Sequence, residues 1–283
     1  MTPLRPGVSR LSPDEYAALD AVNFSTLKFM SFSPLHYRFA CDHPRLATAP
    51  MKLGTAAHMA ILEPARFARE YAVYESAEGE TPRRGTKAWE AFAAANADRE
   101  ILKPADFDAV LRMRDAVRRN AKALRYLRQG DAEQTLVWQD QETGVWLKSR
   151  LDWISQSVPC VICDLKTARD VRPWAFQSAY ARMNYHAQAA MYGDGLEAIM
   201  GRATYHKCIT VENSEPHDVV VYDVIGEPLE QGREAYRGWL KQLVECREKD
   251  EWPGLSPGAE LSLRLPAWAV PDESDLDDLG LEP

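Results

Sequence analysis

Between Val145 and Tyr192 the chain changes its hydrophobic period, and this constrains the fold more than any other stretch. Residues 145–154 read VWLKSRLDWI, and 158–165 read VPCVICDL. Both have the length, alternation and β-branched content of strands. Gln156, Ser157 and Pro159 supply turn chemistry between them. From Trp174 to Met200 the pattern is helical, so the local order is strand, turn, strand, helix.

The charges in that unit carry more information than its shape. Strand residues two apart share a face. Lys148, Arg150 and Asp152 are therefore expected on one face, and Leu147, Leu151 and Trp153 on the other. A fold-back near Ser157–Val158 sets Asp164 opposite Asp152, with Lys166 on the Asp164 face. Two carboxylates and an ammonium then meet at adjacent strand ends. Carboxylate oxygens suit Mg²⁺ and Mn²⁺, and such a cation can clamp a phosphodiester and lower the pKa of a bound water. An isolated Asp-x-Lys is usually an ordinary pair on a solvated sheet face. Here it follows the apolar run VIC, with a second Asp one hairpin away and a polar stripe on the next helix. That combination favours an active site.

These residues resemble the PD-(D/E)xK nuclease superfamily: Asp152, then Asp164-Leu165-Lys166. Gln188-Ala-Ala-Met-Tyr192 resembles the Q-x-x-x-Y helix motif of RecB-like members, and Gly54-Thr-Ala-Ala-His58 resembles their upstream histidine motif. The set is most similar to the exonuclease VIII (RecE-type) nuclease domain of phages and prophages, over roughly Phe24 to Trp252. Leu151 stands where the superfamily's name has proline, and Asp164 where other members have Glu. The resemblance implies an α/β fold, a mixed central β-sheet flanked by helices with the Asp152–Asp164 hairpin at its heart. It also implies Mg²⁺, replaceable by Mn²⁺, on Asp152, Asp164, His58 and the backbone carbonyl of Leu165. Lys166 would be the catalytic cation. Glu133, Arg150, Tyr185, Gln188 and Tyr192 would support the site or contact DNA. The implied activity is 5′→3′ exonucleolysis of double-stranded DNA ends by a homo-oligomeric ring, serving recombination with a single-strand annealing partner.

Composition sets outer limits. The 283 residues suffice for a sizeable core. No apolar run reaches the ~20 residues of a membrane span, and the N-terminal sequence lacks a secretory apolar region. Five scattered cysteines fit a reduced, cytoplasmic protein. Cys160 and Cys163 straddle the start of an apolar strand and have no second CxxC. Only Cys208 and Cys246 follow, so no iron–sulfur cluster is expected. The net charge of −8 argues against DNA at first sight, yet six of the 42 acidic residues lie in the last thirteen, PDESDLDDLGLEP. Charge distribution in the body then matters more than the total.

Along the chain, residues 1–22 are expected as a lead-in with a short helix at Pro13–Leu19, 23–254 as one nuclease domain, and 255–283 as an extended acidic tail. Asn23 or Ser25 starts a helix as N-cap. The almost wholly apolar Met51–Leu62 is a buried helix, in which His58 is either a hydrogen-bonded core residue or, by the resemblance, a ligand. Glu78–Lys87 is a polar loop whose Arg83, Arg84 and Lys87 suit phosphate. Helices follow over Trp89–Ala97 and Pro104–Arg128. The second carries Arg112, Arg114, Arg118, Arg119, Lys122, Arg125 and Arg128 opposite a buried side of Leu111, Val117, Leu124 and Leu127. Its basic face reads equally as solvated or as facing DNA. Ala132–Gln139 pairs with the strand at Val145 through a turn at Asp140–Gly144. Ala181, Tyr185, Gln188 and Tyr192 share one helical stripe. A second hairpin, Ala203–Val211 with Asp218–Ile225, widens the sheet, and Pro228–Asp250 closes the domain. No phosphate loop or nucleophile elbow is present, which removes support for ATPase and esterase classes. Besides the exonuclease, a structure-specific or defence endonuclease and a non-catalytic DNA-binding module of the same fold remain open.

Overall fold

The computed structural model describes residues 4–44, 46–74, 85–156, 159–256, 258 and 260–265. Ser157, Val158, Arg83, Arg84 and residues 266–283, which hold the acidic end of the tail, lie outside the described residues. The elements run β1 (Gly7–Ser9), α1 (Pro13–Ala18), β2 (Val22–Asn23), α2 (Phe24–Leu27), a 3₁₀ turn (Lys28–Ser31), α3 (Pro34–Asp42), α4 (Ala49–Leu62), α5 (Pro64–Glu70) and β3 (Tyr71–Val73). Next come α6 (Lys87–Ala95), β4 (Glu100–Leu102), α7 (Pro104–Arg119), α8 (Ala121–Leu127), β5 (Gly130–Gln139), β6 (Trp146–Ser155) and β7 (Val161–Ala168). The chain continues through α9 (Pro173–Arg182), α10 (Tyr185–Met200), β8 (Tyr205–Glu212), β9 (Val219–Val224) and α11 (Glu227–Lys249).

Among the described residues, seven strands form the main sheet, in the order β1-β5-β6-β7-β8-β9, with β2 also on β6. The β7–β8 and β2–β6 pairs are parallel and the rest antiparallel, so the sheet is mixed. The β5–β6 hairpin closes at Asp140–Gly144, where Gly144 takes φ +70° and the Asp140 carboxylate accepts from Thr143 N at 2.8 Å. This is the left-handed position that glycine occupies without steric cost.

Helices cover both faces. Leu136, Leu147, Leu151 and Ile162 bury one face against Ala187, Met191 and Leu196 of α10 and Leu240 and Leu243 of α11. Ala132, Trp153, Cys163, Leu165 and Ile209 bury the other against Ala57 and Ala60 of α4 and Val110, Met113 and Val117 of α7. Helices α10 and α11 approach so closely that a Cβ on Gly232 would collide with the His186 carbonyl.

Two predicted helices are broken, each at an asparagine. Asn184 adopts φ 57° between α9 and α10, a left-handed state that Asn tolerates better than most side chains. Ala181 therefore lies on α9, off the stripe that carries Tyr185, Gln188 and Tyr192. Asn120 stops α7 and caps α8, its Oδ1 accepting from Lys122 N and Ala123 N at 3.1 and 3.0 Å. The restart rotates the apolar face: Ala123 is buried, whereas the predicted core residue Leu124 is 46% exposed. The N-terminal lead-in also joins the sheet, with β1 extending it beyond β5.

Candidate active site

The site forms where β6 and β7 part. Their ladder runs Trp153↔Cys163, Ile154↔Ile162, Ser155↔Val161. One step beyond it, Asp152 faces Asp164. Farther along β6, Leu147 and Lys148 pair instead with β2. In the fork between, the Asp152 carboxylate takes the place of a backbone partner, accepting from Leu165 N at 2.8 Å.

The alternation of β6 slips at this point. Leu147 and Leu151 belong to the core under α10, whereas Trp153 belongs to the core under α4 and α7. The same point on β5 is irregular. Glu133 takes φ 53° and interrupts the ladder between Ala132↔Trp153 and Gln134↔Leu151. The expected common face of Leu147, Leu151 and Trp153 is therefore corrected. Lys148 is buried, and its Nζ donates to the carbonyls of Tyr16, Ala17 and Leu19 at 2.9, 3.3 and 2.7 Å. Arg150 Nη2 donates to the Leu11 and Ser12 carbonyls at 3.3 and 3.1 Å. Both cations lie over the ring of Tyr16, at 4.9 and 4.6 Å. Glu133 faces Asp152 across the hairpin and lies 4.0 Å from Arg150 Nε. The three acids Glu133, Asp152 and Asp164 thus occupy neighbouring positions on three adjacent strands.

The other predicted residues converge from α4 and α10. His58 Nδ1 lies 3.7 Å from Asp152 Oδ2. Lys166 Nζ lies 2.6 Å from Asp164 Oδ2, donates to Gln188 Oε1 at 3.1 Å and sits 4.4 Å from the centre of the Tyr185 ring. Gln188 Nε2 donates to the Tyr192 hydroxyl at 3.0 Å. The Q-x-x-x-Y residues therefore hold the lysine, one turn apart on α10.

Desolvation governs the titration of this group. It raises the pKa of Asp152 against the opposing charge of Lys166 and the Leu165 hydrogen bond. It likewise raises Asp164, where the repulsion of Asp152 adds to it and Lys166 opposes it. Burial and Asp152 push Glu133 up to about 7, with Arg150, Arg66 and Arg10 opposing. His58 falls to about 4, chiefly by burial and then by the charge of Lys166, with Asp164 and the Leu165 backbone opposing. Burial acts to lower Lys166, but Asp164 and Asp152 outweigh it and raise the group.

The chemistry of this donor set fits a small divalent cation. Two desolvated carboxylates lack the positive charge that would hold them ionised, and the adjacent imidazole is neutral at pH 7, the form that ligates. Among the described residues, no group of three or more His, Cys, Asp or Glu side chains is arranged around a point to hold a metal. In this arrangement Asp164 is engaged by Lys166 and Asp152 by Leu165 N.

Sequence reasoning missed Tyr16, Arg10, Arg66 and Tyr180. Arg10 and Arg66 share Glu63 near Glu133, and the Tyr180 ring packs edge-on against Tyr185 at 5.7 Å. Only Tyr180 had a local signal, five residues before Tyr185. The others come from remote segments that only the fold brings in.

A mixed sheet with helices on both faces and an Asp152–Asp164–Lys166 fork is a PD-(D/E)xK-like architecture. The chain belongs to the family described as a PDDEXK-like domain of unknown function (DUF3799), which matches residues 24–263. No curated protein matches it. Among solved structures, a candidate exonuclease from Eubacterium rectale shares the fold with a TM-score of 0.57 at 12% identity, covering 91% of this chain and 97% of that one. The structure of SSO0001 aligns over 81% of each chain at 12% identity, with a TM-score of 0.38. Among the described residues, no helix is long and apolar enough to cross a membrane.

Proposed function

We propose that this chain is a divalent-metal-dependent nuclease that hydrolyses DNA phosphodiester bonds, used as a 5′→3′ exonuclease on double-stranded ends. The observation that supports this most is the β6–β7 fork, where Asp152 and Asp164 meet with Lys166 held between Asp164 and Gln188. Asp152, Asp164, His58 and the Leu165 carbonyl would hold Mg²⁺, with Mn²⁺ as a substitute. When bound, such a cation supplies Lewis acidity and a more acidic water. Lys166 would stabilise charge growing on the phosphate, with Gln188, Tyr192 and Tyr185 holding its position. Arg150 and Glu133 line the opposite side. The E. rectale protein's description as an exonuclease points the same way. The polarity, the ring, the annealing partner and the role in recombination rest on the RecE-type resemblance alone, and the cytoplasmic setting on the scattered cysteines.

The test is digestion of end-labelled linear and closed circular duplex in Mg²⁺, Ca²⁺ or EDTA. Loss of the linear form in Mg²⁺ only, with circles intact, is expected. Cut circles would replace the exonuclease with an endonuclease of the same fold. Binding of both substrates without cleavage would leave a non-catalytic DNA-binding module.

A further inference from the structure

We infer that the outer face of α3 is a stacking platform for an unpaired nucleic-acid strand leaving the candidate active site. Pro34 and Tyr37 of this helix face the core, while Phe32, Leu35 and Phe39 are 55%, 52% and 60% exposed. The rings are already ordered in pairs. Phe32 lies 5.6 Å from His36, and Phe39 stacks on His43 at 4.3 Å with planes 17° apart. Arg38, also exposed, lies between them in sequence and pairs with Asp42 at 3.0 Å, its guanidinium 5.6 Å from the Trp252 ring.

Continuity with the site supplies the direction. Tyr185, over Lys166, follows Asn184, whose Nδ2 donates to Ser31 Oγ at 3.3 Å. Ser31 precedes Phe32, so the row of rings begins beside the α9–α10 junction. Rings at helical spacing, interleaved with Arg38, His36 and His43, suit bases on a phosphate backbone. Base–aromatic stacking tolerates any sequence because every base has a π-face. The purpose of the platform rests on the nuclease reading: removing one strand of a duplex leaves its complement unpaired, and that strand must pass the protein surface.

The test requires no cleavage. Binding of a labelled oligothymidylate and of an abasic strand of equal length is followed by fluorescence anisotropy in EDTA. The Phe32→Ser, Phe39→Ser double variant should bind oligothymidylate about tenfold more weakly and the abasic strand as the wild type does. Phe39→Trp should retain the wild-type affinity. If the double variant loses its unfolding transition, Phe39→Ser alone carries the comparison. Equal affinity of wild type and variant for oligothymidylate overturns the platform, as does equal affinity of the wild type for both strands. Light scattering that shows the wild type self-associating through this face, with strand affinity unchanged in the variant, also overturns it. Mg²⁺-dependent hydrolysis of bis(4-nitrophenyl) phosphate, too small to reach α3, tests the nuclease reading separately. Failure there leaves the stacking result standing.

Discussion

Helix α10 stands between two buried carboxylate environments that reach opposite electrostatic outcomes. On its α11 side, Asp194 accepts from Arg233 Nε at 3.0 and 2.9 Å, Arg233 Nη2 at 2.7 Å, Tyr236 Oη at 2.6 Å and Arg237 Nη2 at 3.2 Å. Desolvation acts to raise its pKa, but these hydrogen bonds and both guanidinium charges hold it below the ordinary value. On the sheet side, Asp152 has one backbone N–H and Asp164 one ammonium, and desolvation wins at both. Asp194 is a completed ion pair; the fork is short of positive charge. Cavity size points elsewhere: a cavity of about 600 Å³ is lined by Asn23, Tyr37 and Arg247 and one of about 550 Å³ by Asp194, Arg233 and Arg237, neither by the fork acids. The deficit of charge, rather than the amount of empty space, distinguishes a candidate catalytic centre from a structural cluster.

The largest expected effect sharpens that contrast. Asp164→Asn should abolish Mg²⁺-dependent cleavage, because the fork loses one of its two facing carboxylates. In EDTA the variant should be as stable as the wild type or more so, since the side chain that repels Asp152 is neutral. The rise in thermal midpoint on adding Mg²⁺ should shrink. Calorimetry with and without Mg²⁺ checks both, and normal turnover by this variant would remove Asp164 from the site.

Lys166→Ala should come next. A positive charge that acts mainly on the developing phosphorane lowers the bond-breaking rate and spares ground-state binding. The expected loss is roughly 10²–10³ in single-turnover rate, by analogy with oxyanion-hole deletions, with DNA binding in Ca²⁺ nearly unchanged. Lys166→Arg should restore little, since a planar fork does not replace a compact ammonium. A variant that fails only because DNA no longer binds would make the lysine a structural partner of Asp164. Gln188→Ala should cost less, about tenfold in rate, because Asp164 still anchors the ammonium while Tyr185 lies over it. Unchanged single-turnover cleavage by Gln188→Ala would detach the Q-x-x-x-Y pair from the chemistry.

The hairpin and the facing of Asp152 and Asp164 were legible because strand period and short turns are local properties, whereas the mixed sheet came from the family resemblance. The breaks at Asn120 and Asn184 were not, since a helical apolar pattern continues through both and the asparagines cap or turn through their own side chains. The slip at Asp152 was invisible for a related reason. It coincides with the left-handed backbone of Glu133 on the neighbouring strand, while the β6 alternation continues through it in sequence. Arg83 and Arg84 and the acidic end of the tail fall outside the described residues, so their expected roles stand as read from composition.

Asp194→Asn should have the smallest effect on chemistry and yet test the comparison most directly, through pH. Asp194 titrates below its ordinary value of 3.8, so its contribution to stability is fully present above 3.8 and is lost as pH falls through the lower folded value. Asp164 titrates above 3.8, so the folded state is penalised once pH exceeds the raised value, and the penalty fades as pH falls back to 3.8. In EDTA at pH 7, Asp194→Asn should therefore lower the thermal midpoint, at a cost of roughly 1–2 kcal/mol once the partial exposure of Arg233 and Arg237 is discounted. Asp164→Asn should leave it unchanged or raise it, the lost partner of Lys166 offsetting part of the gain. Between pH 7 and pH 4 the Asp194→Asn deficit should hold while the Asp164→Asn gain shrinks, and cleavage per folded Asp194→Asn molecule should match the wild type. Shifts of the same sign in both variants would mean that the fork acids are already neutralised within the protein, and the case for a cation there would lose its electrostatic basis.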